Sequence, residues 1–172
     1  MVNNVAGRPD SLVSVRRDHE VTFREATRDD LPQIVRLLAD DPLGMTRETP
    51  GEVIPEAYFA AFAAIERDPN NAVIVAESGG AVAGTMQITY IPGLTYTGGE
   101  RAQIEGVRVA AEQRGRGIGQ IMIGWAIEQA RARGCRVVQL TTDRQRPDSI
   151  RFYQKIGFRP SHMGMKYHLK DD

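Results

Sequence analysis

Gly115, Gly117 and Gly119 alternate within Gln113-Arg114-Gly115-Arg116-Gly117-Ile118-Gly119, and this run dictates a strand, a tight turn and a helix in immediate succession. A strand-like segment at 103–109 precedes it. A helix begins near Ile118, with Ile118, Ile121, Met122, Trp125 and Ala126 on one face. Glycines at alternate positions let the backbone approach a ligand with no Cβ in the way. The first amides of the helix lack intrahelical acceptors and lie at the positive end of its dipole. Such a turn suits a phosphate or pyrophosphate, and Arg114 and Arg116 add donors of matching geometry. Read plainly, the same residues are a glycine-rich surface turn with two solvated arginines. Two familiar phosphate loops are excluded: Gly119 is followed by Gln120 and Ile121 rather than Lys and Ser/Thr, and neither Gln120 nor Met122 supplies the last glycine of a dinucleotide fingerprint.

The chain's 172 residues suit one domain with a real core. Val21, Phe23 and Glu25 alternate with polar neighbours and predict a first strand at 21–26. Thr27 and Asp30 form a helix-start signal before the apolar face of Leu31, Ile34, Val35 and Leu38. A loop at 40–55 carries Asp40, Asp41, Glu48 and Glu52, and Pro55 opens a second helix bearing Tyr58, Phe59, Phe62 and Ile65. Strands follow at 72–76 and 81–91 across a Gly79-Gly80 turn, and a third at 101–109. After the central helix, closed by Gly134, come a buried strand at 136–141 and a short helix at 147–156. Met163, Met165, Tyr167 and Leu169 alternate, so the tail at 158–169 is expected to be a strand. Meandering strands first and β-α-β units last define an α/β (α+β) layer structure: a mixed, mostly antiparallel central sheet with helices on both faces.

Two segments in this order carry a family resemblance. The Arg-Gly-x-Gly-x-Gly turn is one; Phe152-Tyr153-Gln154-Lys155-Ile156-Gly157-Phe158, ending the late helix, is the other. Together they resemble the GNAT superfamily of acetyl-CoA-dependent N-acetyltransferases, over roughly 21–169. The resemblance implies a GNAT-like fold with acetyl-CoA as co-substrate and no metal. Arg114, Gly115, Arg116, Gly117, Ile118 and Gly119 would then bind the cofactor pyrophosphate, with Gln120 beside them. Val107, Arg108 and Val109 would pair their backbone with the pantetheine arm like an added strand. Many members carry asparagine where this chain has Arg146, which leaves cofactor contacts from the last helix open.

Acetylating an amine requires three services. The ammonium, of pKa about 10.4 if lysine-like, must lose a proton. The developing oxyanion needs a donor, for which the Val109 N–H is suited, and the leaving thiolate needs an acid. Tyr153 matches the superfamily's tyrosine that faces the thioester sulfur; taken alone it reads as an amphipathic core tyrosine. Glu105, on the central strand, matches the place of a carboxylate base, acting directly or through water; taken alone it is a solvated strand carboxylate. Attack would be direct, with no covalent enzyme intermediate.

Equal numbers of basic and acidic residues, 22 of each, give no general pull toward nucleic acid or membrane. One cysteine, Cys135, excludes an internal disulfide framework and reads as a small buried hydrophobe, while His19, His162 and His168 lack metal-ligand spacing. Residues 1–18 have no apolar signal region and read as a flexible extension before a single domain at 19–172; a cytoplasmic location is expected. The expected acceptor is a small-molecule amine entering over 40–55 and 90–100, with a protein amine left open. A non-catalytic acetyl-CoA-binding module is the rival reading. Dimers are frequent in the superfamily, so a homodimer is compatible with the resemblance.

Overall fold

Each strand pairs with the next in sequence, so one sheet forms in the order β1-β2-β3-β4-β5. The strands are β1 (Val21–Glu25), β2 (Asn71–Ser78), β3 (Ala81–Ile91), β4 (Arg101–Val109) and β5 (Val137–Leu140). Each of the first four runs antiparallel to its neighbour and β5 runs parallel to β4. The helices are α1 (Leu31–Ala39), α2 (Glu56–Arg67), the short α3 (Thr95–Gly98), α4 (Ile118–Arg133) and α5 (Pro147–Lys155). This computed structural model describes residues 21–169. The extension expected at 1–18, and His19, lie outside the described residues.

Strand alternation sends successive side chains to opposite layers. In β2, Ile74 and Ala76 join the cluster formed with α4, whereas Val73 and Val75 pack with α1 and α2. Ile118, Met122, Ile123, Ala126 and Ala130 cover one face from α4, and Trp125 stacks on Phe23 of β1 with ring centroids 4.9 Å apart. The opposite face is covered by Leu31, Ile34, Val35 and Leu37 of α1 and Phe62 of α2. Helices therefore lie on both faces, as the element order implies. The start signal at Thr27 is realised on a 3₁₀ turn, Arg28–Asp30: the Asp30 carboxylate accepts from the Thr27 amide and hydroxyl at 2.7 and 2.9 Å. It also accepts two bonds from Arg24, which reaches Glu77 on β2 as well.

Two expectations are corrected. The segment around 136–141 is not a fully buried strand: β5 spans four residues at the sheet edge, and Val137 is 36% exposed. The tail forms no strand. Met163, Met165, Tyr167 and Leu169 are 71%, 91%, 89% and 90% exposed, and 158–169 has no ladder pairing. Alternating polarity shows which side chains could share a face; a strand also needs a neighbour's amides and carbonyls.

Candidate active site

The site is built where β4 and β5 part. Their pairing runs from Arg101 opposite Val137 to Ile104 opposite Leu140 and stops there, while β4 continues to Val109. From Glu105 to Val109 the strand keeps β3 on one side and, among the described residues, has no strand on the other. The open edge presents main-chain donors and acceptors to whatever enters the cleft.

A β-bulge organises this edge. Thr85 opposes Arg108 and Gln87 opposes Glu105, so β4 spends one more residue than β3 over the interval. Gly106 takes φ +59° there, a left-handed conformation that disfavours any Cβ. The insertion changes the phase of the strand. Ala102 and Ile104 below it, and Val107 and Val109 above it, all pack toward α4. Glu105 and Arg108 are thereby turned to the same opposite face, toward the α1–α2 loop.

Arg108 meets Asp41 of that loop, with Nε 3.1 Å from Oδ2. Asp41 is fixed by its own turn: Oδ1 accepts from the amides of Leu43 and Gly44 at 3.0 and 2.9 Å, and from Arg146 Nη2 at 2.6 Å. Burial pushes the Asp41 carboxyl up, but the Gly44 amide, the two guanidiniums and the Leu43 amide outweigh it and hold it below its ordinary value. Tyr153 stands beside this group on α5, in edge-to-face contact with Phe152 and Phe158 at 5.1 and 5.8 Å. Burial raises its phenol pKa, opposed by the positive fields of Arg108 and Arg146. The hydroxyl is therefore protonated at neutral pH and able to donate.

The glycine turn follows β4 directly. Gly115 and Gly117 have φ of +77° and +82°, and a Cβ placed at either would meet no atom within 4 Å. Gly119, in the first turn of α4, would bring a Cβ to 3.4 Å from Phe152 Cζ. Arg114 braces the turn rather than extending from it: Nε donates to the Val109 carbonyl at 3.1 Å and Nη2 to Asp40 Oδ2 at 2.6 Å. Arg116 donates to Gln113 Oε1 at 3.0 Å. The backbone amides at Ile118, Gly119 and Gln120 are left as the turn's orphan donors. An open strand edge, leading to amides over an uncrowded turn, fits the extended arm and diphosphate of coenzyme A.

The structure thus brings Tyr153, Val107, Arg108, Val109 and the glycine turn around one cleft, with Glu105 exposed on its rim. Asp41 and Arg146 join them, 105 positions apart in sequence, so no local pattern reveals their pairing. Cys135 is outside this group; burial and then Glu100 push its thiol up to about 11, which suppresses the thiolate. Among the described residues no group of three or more His, Cys, Asp or Glu is assembled for a metal, and no helix is long and apolar enough to cross a membrane. A separate concavity of about 490 Å³, between α1 and the β4–α4 turn, is bordered by Leu37, Asp40 and Ala110 and excludes Tyr153.

A splayed sheet with a glycine-turn helix start defines an acyl-CoA transferase architecture. The sequence model of the acetyltransferase (GNAT) family matches residues 31–158, and the chain belongs to that family; it is an acetyl-CoA-dependent acyltransferase. A putative acetyltransferase from Agrobacterium tumefaciens str. C58 has the same fold at TM-score 0.73 and 31% identity, over 85% of this chain and 98% of its own. A Bacillus halodurans C-125 structure described as a transcriptional regulator matches at TM-score 0.84 and 52% identity, over 87% of this chain and 99% of its own. The aminoalkylphosphonate N-acetyltransferase of Salmonella typhimurium is 27% identical over 155 residues, 88% of this chain and 96% of that protein.

Proposed function

We propose that this enzyme moves the acetyl group from acetyl-CoA directly to the primary amine of a small molecule, within a ternary complex. The parting of β4 from β5 above Ile104, with Tyr153 beside the opening, carries this reading. The pantetheine arm would lie along Val107, Arg108 and Val109, and the diphosphate against Gly115, Gly117, Ile118, Gly119 and Gln120, with Arg114 and Arg116 flanking. Glu105 takes the ammonium proton, directly or through water, so that a neutral amine attacks the thioester carbonyl. The Val109 N–H donates to the oxyanion. As the carbon–sulfur bond breaks, Tyr153 gives its proton to the departing sulfur and is later reprotonated from solvent. The Salmonella relative, named for a small aminoalkyl acceptor, supports a small-molecule amine.

The test is thiol release from acetyl-CoA across a panel of amines. Turnover is expected, and Tyr153→Phe should lower kcat by about 100-fold or more. Its acetyl-CoA affinity should stay within about twofold, because an edge-packed ring is retained. The 52% identity to a protein described as a transcriptional regulator favours one second reading, a cofactor-binding module without catalysis. Saturable acetyl-CoA binding with no turnover on any amine would establish that reading instead.

A further inference from the structure

We propose that Arg108 and Arg146, bridged by Asp41, form a subsite for an anionic group on the acceptor, so that the amine substrate is an aminoalkyl phosphonate, phosphate or carboxylate. This deepens the small-amine reading above and rests on it.

Three observations converge. First, Arg108 is under-satisfied. Its side chain is 18% exposed, one nitrogen donates to the adjacent Val107 carbonyl at 2.9 Å, and Nε and Asp41 Oδ2 are both buried without a well-aligned hydrogen bond. A guanidinium offers five donors, and the Asp41 carboxylate and Val107 carbonyl take up only part of that capacity, which leaves donors for a ligand oxygen. Burial also pulls the Arg108 pKa down, the response of a cation whose desolvation is poorly compensated.

Second, the direct contacts are unequal in charge. One carboxylate serves two guanidiniums, and two backbone amides already hold that carboxylate, so it acts as a fixed bridge. The next carboxylate, Glu48, is held by the Tyr58 hydroxyl at 2.7 Å and is the weakest of the fields acting on Arg108, and Arg47 lies 4.0 Å from Asp143. Two guanidiniums thus share one directly contacting carboxylate, and their planar forks match tetrahedral and planar oxyanions.

Third, the placement is productive. The bulge puts Arg108 on the face that also bears Glu105, and Tyr153 feels both guanidiniums. An acceptor anchored here by its acid group would hold its amine a short alkyl chain away, between Glu105 and the thioester. The cofactor diphosphate has its own donors at the α4 start, so it does not need this pair.

The experiment compares 2-aminoethylphosphonate, β-alanine and propylamine, acceptors of similar length with and without an anion. A charge-assisted contact of this kind makes the acids better substrates than propylamine by about 10- to 100-fold in kcat/KM. Arg146→Gln should collapse that ratio by a similar factor through KM, and Arg146→Lys should restore part of it. In the unmodified enzyme, ethylphosphonate should inhibit competitively against the amino acid acceptor and not against acetyl-CoA, a readout independent of any variant's folding. Propylamine used as well as the acids would overturn the proposal. So would an unchanged ratio in Arg146→Gln, or inhibition competitive with acetyl-CoA. Should no amine be turned over, calorimetric titration of 2-aminoethylphosphonate into the CoA-saturated protein still decides: binding abolished by Arg146→Gln supports the subsite, and no binding sinks it, separately from the fate of the catalytic reading.

Discussion

The two halves of β4 do different work within one strand. From Arg101 to Ile104 it is bonded on both sides, to β3 and to β5, and Ala102 and Ile104 are 0% and 1% exposed. From Glu105 to Val109 it keeps β3 alone and no residue is fully buried. The lower half anchors the core, and the upper half offers unspent backbone to a ligand. Stability and chemistry are thus separated at the step from Ile104 to Glu105, rather than by domains. Changes below that point should act on folding, and changes above it on turnover.

Ile104→Ala tests the lower half most severely. It removes a fully buried side chain next to α4 and should cost about 2–5 kcal/mol in denaturant unfolding. Glu105→Gln, one residue on, should alter stability by no more than about 0.5 kcal/mol while lowering kcat at neutral pH. Equal stability losses in the two variants would erase the division.

Acid should weaken the far edge of the sheet. Hydrogen bonds from Arg24 lead, ahead of burial's opposing effect, in bringing the Asp30 carboxyl from its ordinary 3.8 down to about 2. A lowered folded pKa means the ionised form is favoured in the native state. The contribution is complete above about pH 4, fades as pH falls toward 2, and is worth on the order of 2 kcal/mol. Urea midpoints of the native protein and Asp30→Asn should differ at pH 6 and converge near pH 2. Gly106→Ala should cost about 1–2 kcal/mol for a Cβ in a left-handed conformation, less than Ile104→Ala, since only Leu38 Cδ2, at 3.7 Å, stands near. A gain in stability there would show that the bulge is not held by glycine.

Much of this was legible in the sequence because the signals were local. The turn at Gly79-Gly80, the start signal at Thr27 and the Gly134 stop each act within a few residues of themselves, and the structure realises them all. The two family motifs likewise stand in short segments. What escaped depends on partners distant in the chain. The tail's alternation gave the right polarity for a strand and no information about an available edge. The bridge from Asp41 to Arg108 and Arg146 joins a loop, a strand and a helix start. One missed feature did leave a trace: apolar residues at 102, 104, 107 and 109 skip a beat, the spacing expected of an inserted bulge residue.

That skipped beat makes the sidedness of the upper strand depend on one extra residue being accommodated outside the ladder. Were the bulge flattened with Gly106 retained, strict odd–even order would return and every side chain beyond it would swap sides. Arg108 would then be driven into the greasy layer under the long helix, and Val109 would be pushed toward Asp41. The proposed acceptor face is written as a parity, and losing the bulge while keeping its extra residue would invert it.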